Sequence, residues 1–349
     1  MNRIYRLWPL FLLLLADAFG QGTPNTKTAS VNPAFFKDVS GFFKAWELVA
    51  AQQYGLRALR PVDFIFFDSL YVYSTSPITV PSGPAFRGPR LMGVSYLWRR
   101  SQHRGKITLP DHTVVPVGLM SFAGQNPDDS TRSFFVMPLV DFWEKAGVTS
   151  QELGMTRLVT GVFVHEFSHS QQMQNFGREM SSLEKASQLE VEFTDDIVQN
   201  LYEKDTEYVA LYNQENQFFY RAAAAPDATQ LEALTLSGLE CMDRRHDKYF
   251  NDRAASLATI DAFFLTMEGL GQFSMYTWMV HPRGGNLPPA LALSGVRRNG
   301  KWWSQEEGLG LFLVLNRLAP DRNWASPLFG TQTTSVVELI REQLARRPR

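Results

Sequence analysis

The sequence predicts an α+β fold. β-branched and aromatic residues gather in short runs before residue 141, and after it apolar residues recur at helical spacing. A mixed, strand-containing N-terminal lobe is therefore expected ahead of a mainly helical lobe. The chain has 349 residues, 44% of them hydrophobic and 20% charged, which is enough apolar mass to bury a large core.

The N-terminus, MNRIYRLWPLFLLLLADAFGQG, carries two Arg, an apolar stretch from Leu7 to Leu15 and small residues at Ala16, Ala18 and Gly20. This is the pattern of a secretory signal peptide over residues 1–20, so a secreted or periplasmic location is expected. The apolar stretch is too short to span a bilayer comfortably, and no stable membrane insertion is expected after cleavage. Residues 21–33 are polar and turn-rich and read as a flexible lead-in. One domain is expected over 34–349, with an α+β lobe at 34–176 and a helical lobe at 177–349. The single cysteine, Cys241, excludes an internal disulfide despite export.

Phe35, Val39, Phe42, Phe43 and Leu48 repeat at helical spacing and predict a helix over 34–54. Val62 to Phe67 and Leu70 to Tyr73 read as strands, and the Pro/Gly-rich PSGPAFRGPR at 81–90 reads as a loop. Further strands are expected at 113–122 and 133–140. Helices are expected near 150–175, 183–222, 228–246, 253–279, 304–318 and 334–346, separated by breaks such as HPRGGNLPPA at 281–290. Lys and Arg total 34 against 35 Asp and Glu, with no basic run before the RRPR tail, so no nucleic-acid partner is expected. Nothing in the sequence specifies an oligomeric state.

Residues 161–170 read GVFVHEFSHS and contain His165-Glu166-Phe167-Ser168-His169. On a helix, positions i and i+4 share one face about 6 Å apart, so both imidazoles can reach one ion while Glu166 stands beside it. Leu158, Val159, Val162, Phe163 and Val164 make the approach to the motif apolar on nearly all sides. Two imidazoles and a carboxylate within such a helix are costly unless they are paired or bound to metal. The metal-free alternative is a buried hydrogen-bonded His-Glu-His cluster.

This helix resembles the active-site helix of the zincin metallopeptidases, the superfamily that includes thermolysin-like enzymes, with mixed strands before it and helices after it. The resemblance implies Zn2+ held by His165 and His169, with Glu166 as the general base on a water nucleophile. The metzincin continuation is absent, because SQQMQNFG after His169 holds no histidine. A gluzincin-like third ligand on a later helix is therefore expected. Glu268 in FFLTMEGLGQFSMY is the first choice: it is a lone acid in an apolar helix, followed by Gly269 and Gly271, which permit close backbone approach. It lies 99 residues past His169, which requires a long helical insertion. Glu190 and Glu192, at 21 and 23 residues past His169, are alternatives in a charged stretch, as are Asp196 and Glu307.

The implied activity is that of a secreted zinc metallopeptidase acting on a peptide or protein substrate. His246, Tyr249, Tyr276 and His281 are the candidate oxyanion donors. Asp195 and Asp196 are candidates to orient a ligating histidine. SFFVMPL, ahead of the motif, stands where zincins carry the edge strand that pairs with an extended peptide, though a core strand is the default reading. Two other readings stay open: a catalytically inactive zincin-fold binding protein with structural zinc, and a zinc hydrolase of non-peptide amides or esters. A di-iron carboxylate site is disfavoured, since no second Glu-x-x-His exists and only Asp243-x-x-His246 comes close.

Overall fold

The computed structural model describes residues 31–186 and 193–346. The expected signal peptide, most of the lead-in, and Glu190 and Glu192 lie outside those residues. The fold is α+β, with strands in the N-terminal part and helices after them.

Asn32 caps the first helix, α1 (Pro33–Gln52), its side chain accepting the Ala34 N–H while Pro33 supplies a preset φ at the first turn. The face repeating Phe35, Val39, Phe42, Phe43 and Trp46 is buried. Eight strands follow: β1 (Val62–Phe67), β2 (Tyr71–Ser74), β3 (Ala85–Leu91), β4 (Val94–Gln102), β5 (Lys106–Thr108), β6 (Val114–Pro116), β7 (Phe122–Gln125) and β8 (Ser133–Pro138). Six of them form one sheet in the order β3-β4-β2-β1-β8-β7, antiparallel except for the parallel pair β1 and β8. β5 and β6 form a separate hairpin.

Alternation along β1 sends Phe64 and Phe66 into the main core, and Ile65 and Phe67 into a smaller cluster shared with Ile107 and Val115 of the hairpin. Both faces are thus covered, which is why β1 and β8 are buried at all six positions and read as unbroken apolar runs. One expectation changes here. The 81–90 loop contains most of β3, an edge strand that tolerates Pro89 because its outer side has no strand to bond. Gly88 within it is required by packing, since a Cβ there would meet the Trp98 ring at 2.3 Å. The SFFVMP run is a core strand, as its default reading has it, and not the edge of the zincin analogy: β8 lies between β1 and β7, and the edge on that side is β7.

The helical part begins with α2 (Val140–Lys145) and α3 (Met155–Gln172). A π turn at Met173–Gly177 carries α3 into α4 (Arg178–Ala186). Then come α5 (Ile197–Tyr202), α6 (Thr206–Ala223), α7 (Ala228–Tyr249), α8 (Ser256–Val280), α9 (Pro289–Val296), α10 (Trp303–Leu318) and α11 (Val336–Ala345). The helix expected over 183–222 is instead several pieces. Its polar N-terminal half lacks a continuous apolar stripe, and Asp205 starts α6 afresh by accepting the Glu207 and Tyr208 N–H groups. α9 was hidden by its own proline: Pro289 at the first helical position looks like a break but fits a helix start. Among the described residues no helix is long and apolar enough to cross a membrane.

α8 runs through the middle and is buried on nearly every side. Its two glycines face different neighbours. A Cβ on Gly269 would meet the Gly308 backbone of α10 at 2.5 Å, and one on Gly271 would meet the His165 ring of α3 at 2.7 Å. Because the Gly269 neighbour is backbone, the helices must separate to admit a methyl group. Gly269→Ala is therefore expected to cost about 2–3 kcal/mol of unfolding free energy despite alanine's better helix propensity, read as a lower denaturant midpoint; a neutral or stabilising result would refute the close α8–α10 packing.

Candidate metal centre

α3 divides its side chains between two neighbours. Phe163 and Phe167, one turn apart, stack on each other at 5.2 Å and pack against Phe42, Phe64 and Phe135 of α1 and the sheet. His165 and His169, two residues out of phase and so on the opposite side, face α8. The aromatic face therefore sets the rotation of α3 that aims both imidazoles inward.

Glu268 of α8 meets them there. His165 Nε2 lies 3.2 Å from Glu268 Oε2, His169 Nε2 lies 3.3 Å from Oε1, and the two Nε2 atoms are 3.1 Å apart. Donors placed tetrahedrally around an ion at zinc's usual bond lengths stand about 3.3 Å from one another, so this trio has the mutual spacing of a three-ligand metal site. Each of His165, Glu166 and His169 also offers one ligand atom within 4.8 Å of the others'. All four side chains are buried, with His165 4%, Glu166 6%, His169 1% and Glu268 2% exposed. The Nδ1 atoms of both imidazoles are buried and have no partner among the described residues.

Charge is arranged to match. Burial opposes ionisation of Glu268, but the imidazoles of His169 and His165 outweigh it and hold the carboxyl well below its ordinary range. Burial, then the charges of Glu268 and Asp195, push Glu166 well above its own range. The two neighbouring carboxyls are thus shifted in opposite directions, Glu268 toward its anion and Glu166 toward its protonated form.

A second layer fixes Glu268. Gln305 of α10 donates to Glu268 Oε2 at 3.0 Å and accepts from Gln272 at 2.9 Å and from Arg298 Nε at 2.7 Å. Arg298 is held in turn by its backbone, whose N–H donates to Glu306. Its charge acts on His165, Glu166 and Glu268 together.

The other sequence candidates are placed elsewhere. His246 bonds Asp261 at 3.1 Å, Tyr249 donates to Asp205, and His281 sits at the surface against Gln52. Tyr276 lies two turns beyond Glu268 on α8, and none of these four is hydrogen-bonded to the centre. Asp195 and Asp196 bond neither imidazole, although their charges couple to Glu268. Glu307 belongs to a buried cluster around Arg245. Arg298 and Gln305 were not singled out from sequence; the local signal was weak, an Arg-Arg pair and a polar helix start that also fit a solvated turn.

Buried acids give the protein a definite pH response when no cation compensates them. Burial lifts Asp196 to about 7 and Glu215 to about 8. Each then holds in the fold a proton that the unfolded chain has already released, so its stabilising contribution is full below about pH 4 and is lost as pH rises through 7–8. Glu268 and Asp261 are shifted down and contribute the reverse, which is lost only in stronger acid. Chelator-treated protein is expected to lose thermal stability steadily from about pH 5 to pH 8. A melting temperature that climbs over that interval would contradict these burials.

No family model, curated protein or solved structure matches this chain.

Proposed function

We propose that this chain is an exported zinc-dependent hydrolase of the HExxH type whose target is the peptide bond. The observation that carries the reading is the convergence of His165 Nε2, His169 Nε2 and the Glu268 carboxylate at 3.1–3.3 Å, with Glu166 on the same helical turn. All three donors suit zinc, and the pairing of neutral imidazoles with one anionic carboxylate is that of catalytic rather than closed structural zinc sites. When bound, zinc supplies Lewis acidity, polarising a carbonyl and making water a nucleophile near neutral pH.

The chain's own residues do the rest. Glu166 takes the proton of the attacking water on its carboxylate and returns it to the leaving nitrogen. Gln305 holds Glu268 in the orientation that faces both imidazoles. Arg298 is tied to Gln305 through Nε, and its charge acts on Glu268 and Glu166. Its guanidinium is the group that meets the negative charge developing on the carbonyl oxygen.

The burial of the centre favours one other reading. Four side chains each less than a tenth exposed also suit a zinc that staples α3 to α8 without turnover. Glu166 separates the two. Purified protein is expected to hold one equivalent of zinc in both the parent and Glu166→Gln, with cleavage of a mixed peptide library by the parent alone. Zinc with no turnover dependent on Glu166 selects the staple, and a parent that stays metal-free after zinc supplementation removes both readings. In the active parent, Arg298→Ala should lower kcat about 100-fold with zinc content unchanged, the effect of deleting one oxyanion donor; an unaltered kcat would take Arg298 out of the mechanism.

A further inference from the structure

The outer face of the sheet is covered only in part. The smaller apolar cluster lies over β1 and β8 and reaches Val72 of β2, but none of its residues comes from β3 or β4. Those two strands carry a bare outer face at the end of the sheet. Alternation along β4 turns Tyr96 and Trp98 inward against Phe64 and leaves Ser95, Leu97 and Arg99 on the other side. Cross-strand partners share a face, and the register sets Ala85 opposite Arg99, Arg87 opposite Leu97 and Arg90 opposite Ser95. Three guanidinium side chains thus surround Leu97, which is 59% exposed.

The charge here is unbalanced both along the chain and in space. Between Asp68 and Asp111 there is no acidic residue but six basic ones, Arg87, Arg90, Arg99, Arg100, Arg104 and Lys106, in a protein whose charges otherwise nearly cancel. Arg100 turns inward over the Tyr71 ring. Among the described residues none of the other five forms an ion pair. Arg90 and Arg99 donate to the Gly93 and Gly83 carbonyls at 2.7 and 3.4 Å, which occupies an N–H group but cancels no charge. Glu47 of α1 accepts the Met92 N–H at the hairpin turn instead of meeting an arginine. Like charges gathered on one sheet face without counter-charge are held at a cost that an anionic partner would remove.

We propose that the outer face of β3 and β4 is a docking surface for a bilayer containing anionic phospholipid. Guanidinium forks match phosphate oxygens, and Leu97 among them is placed to enter the headgroup layer as the arginines stay at its surface. Other anionic partners fit less well. Single-stranded nucleic acid stacks its bases on aromatic rings, and the rings of Phe86, Tyr96 and Trp98 all lie on the inner face. A folded protein partner needs an apolar centre to its interface, and Leu97 is the one large apolar side chain of this face. An acidic strand adding to the edge would meet Pro89 and the irregular register between Arg87 and Arg90. The inference does not depend on the hydrolase reading, since no residue of the face belongs to the proposed zinc centre.

The test is co-sedimentation of the purified protein with vesicles of phosphatidylcholine and with vesicles of an equimolar mixture of phosphatidylcholine and phosphatidylglycerol. Binding to the mixed vesicles is expected to be at least tenfold tighter, and to be largely reversed in about 0.5 M NaCl. Arg87→Gln combined with Arg99→Gln should weaken it about 30-fold, the loss of two cations near an anionic surface. Leu97→Ser should weaken it at least threefold, and Arg104→Gln with Lys106→Gln repeats the charge check should the first pair fail to fold by circular dichroism. Arg221→Gln with Arg283→Gln, on α6 and the loop after α8, controls for total charge and should bind as the parent does. Every protein compared carries the same N-terminus, so its own affinity for lipid cancels. A parent without preference for the mixed vesicles overturns the proposal, and so does undiminished binding by a folded variant of the face or an equal loss in the control pair. Soluble polyglutamate that displaces the parent from vesicles at equal charge would assign the face to an acidic chain, which overturns it as well.

Discussion

The approach of α8 to two neighbours at once is the constraint on which the rest of the molecule depends. A helix with ordinary side chains at 269 and 271 would stand off from α10 and from the His165 ring; glycine at both lets backbone meet backbone on one side and an imidazole on the other. That proximity brings Glu268 within 3.3 Å of two histidines carried by a helix 99 residues earlier in the chain. It also closes the core, because a single hydrophobic cluster runs from Phe35 to Ile340 across the strand-containing and helical parts. The convergence of Glu268 on the two histidines and the packing of the core therefore share one geometric requirement, and a change that loosens α8 loosens both.

α8 also links the two buried charge clusters. Asp261, Leu265 and Glu268 recur at spacings of four and three residues, so the acid that faces Arg245 and the acid that faces the histidines lie on one stripe of the same helix. Asp195 and Asp196 stand between the clusters, coupled electrostatically to Glu268 while lining the cavity beside Arg245. The Asp195, Asp196, Glu215 and Glu307 carboxyls are raised first by burial and then by the charges of neighbouring acids. The charge of Glu268 is thus felt at Asp195 and Asp196.

What could be read from the sequence followed how local each signal is. The HEFSH turn and its apolar approach are contiguous, so helix, burial and the shared face of His165 and His169 were all legible. Glu268 was legible for a different reason: one acid among Phe264, Leu265, Met267 and Leu270 has no comfortable isolated state and so announces a partner, though not which one. β3 was lost because Gly88 and Pro89 speak for a turn unless one knows that Trp98 fills the glycine's space and that the strand is an edge. The charged surroundings of Asp195 and Asp196 and the polar start of α10 look like solvated helix faces. Only the tertiary packing of α5, α7, α8 and α10 turns them inward, and no periodicity in a short window encodes that.

Glu166 is the residue whose presence asks most for a purpose. A zinc staple would be complete with two imidazoles, Glu268 and one more protein ligand, and it would gain nothing from a further carboxyl, 6% exposed, that burial and two neighbouring acids drive toward its protonated form. Replacing such a group with an apolar side chain of similar size ordinarily stabilises a core. Glu166 occupies the first residue after His165, and its carboxylate comes within 4.8 Å of donor atoms of both histidines. A carboxyl kept there at a cost in stability, with its affinity for protons raised by burial and by neighbouring acids, has a use in the proposed turnover that a staple would not give it.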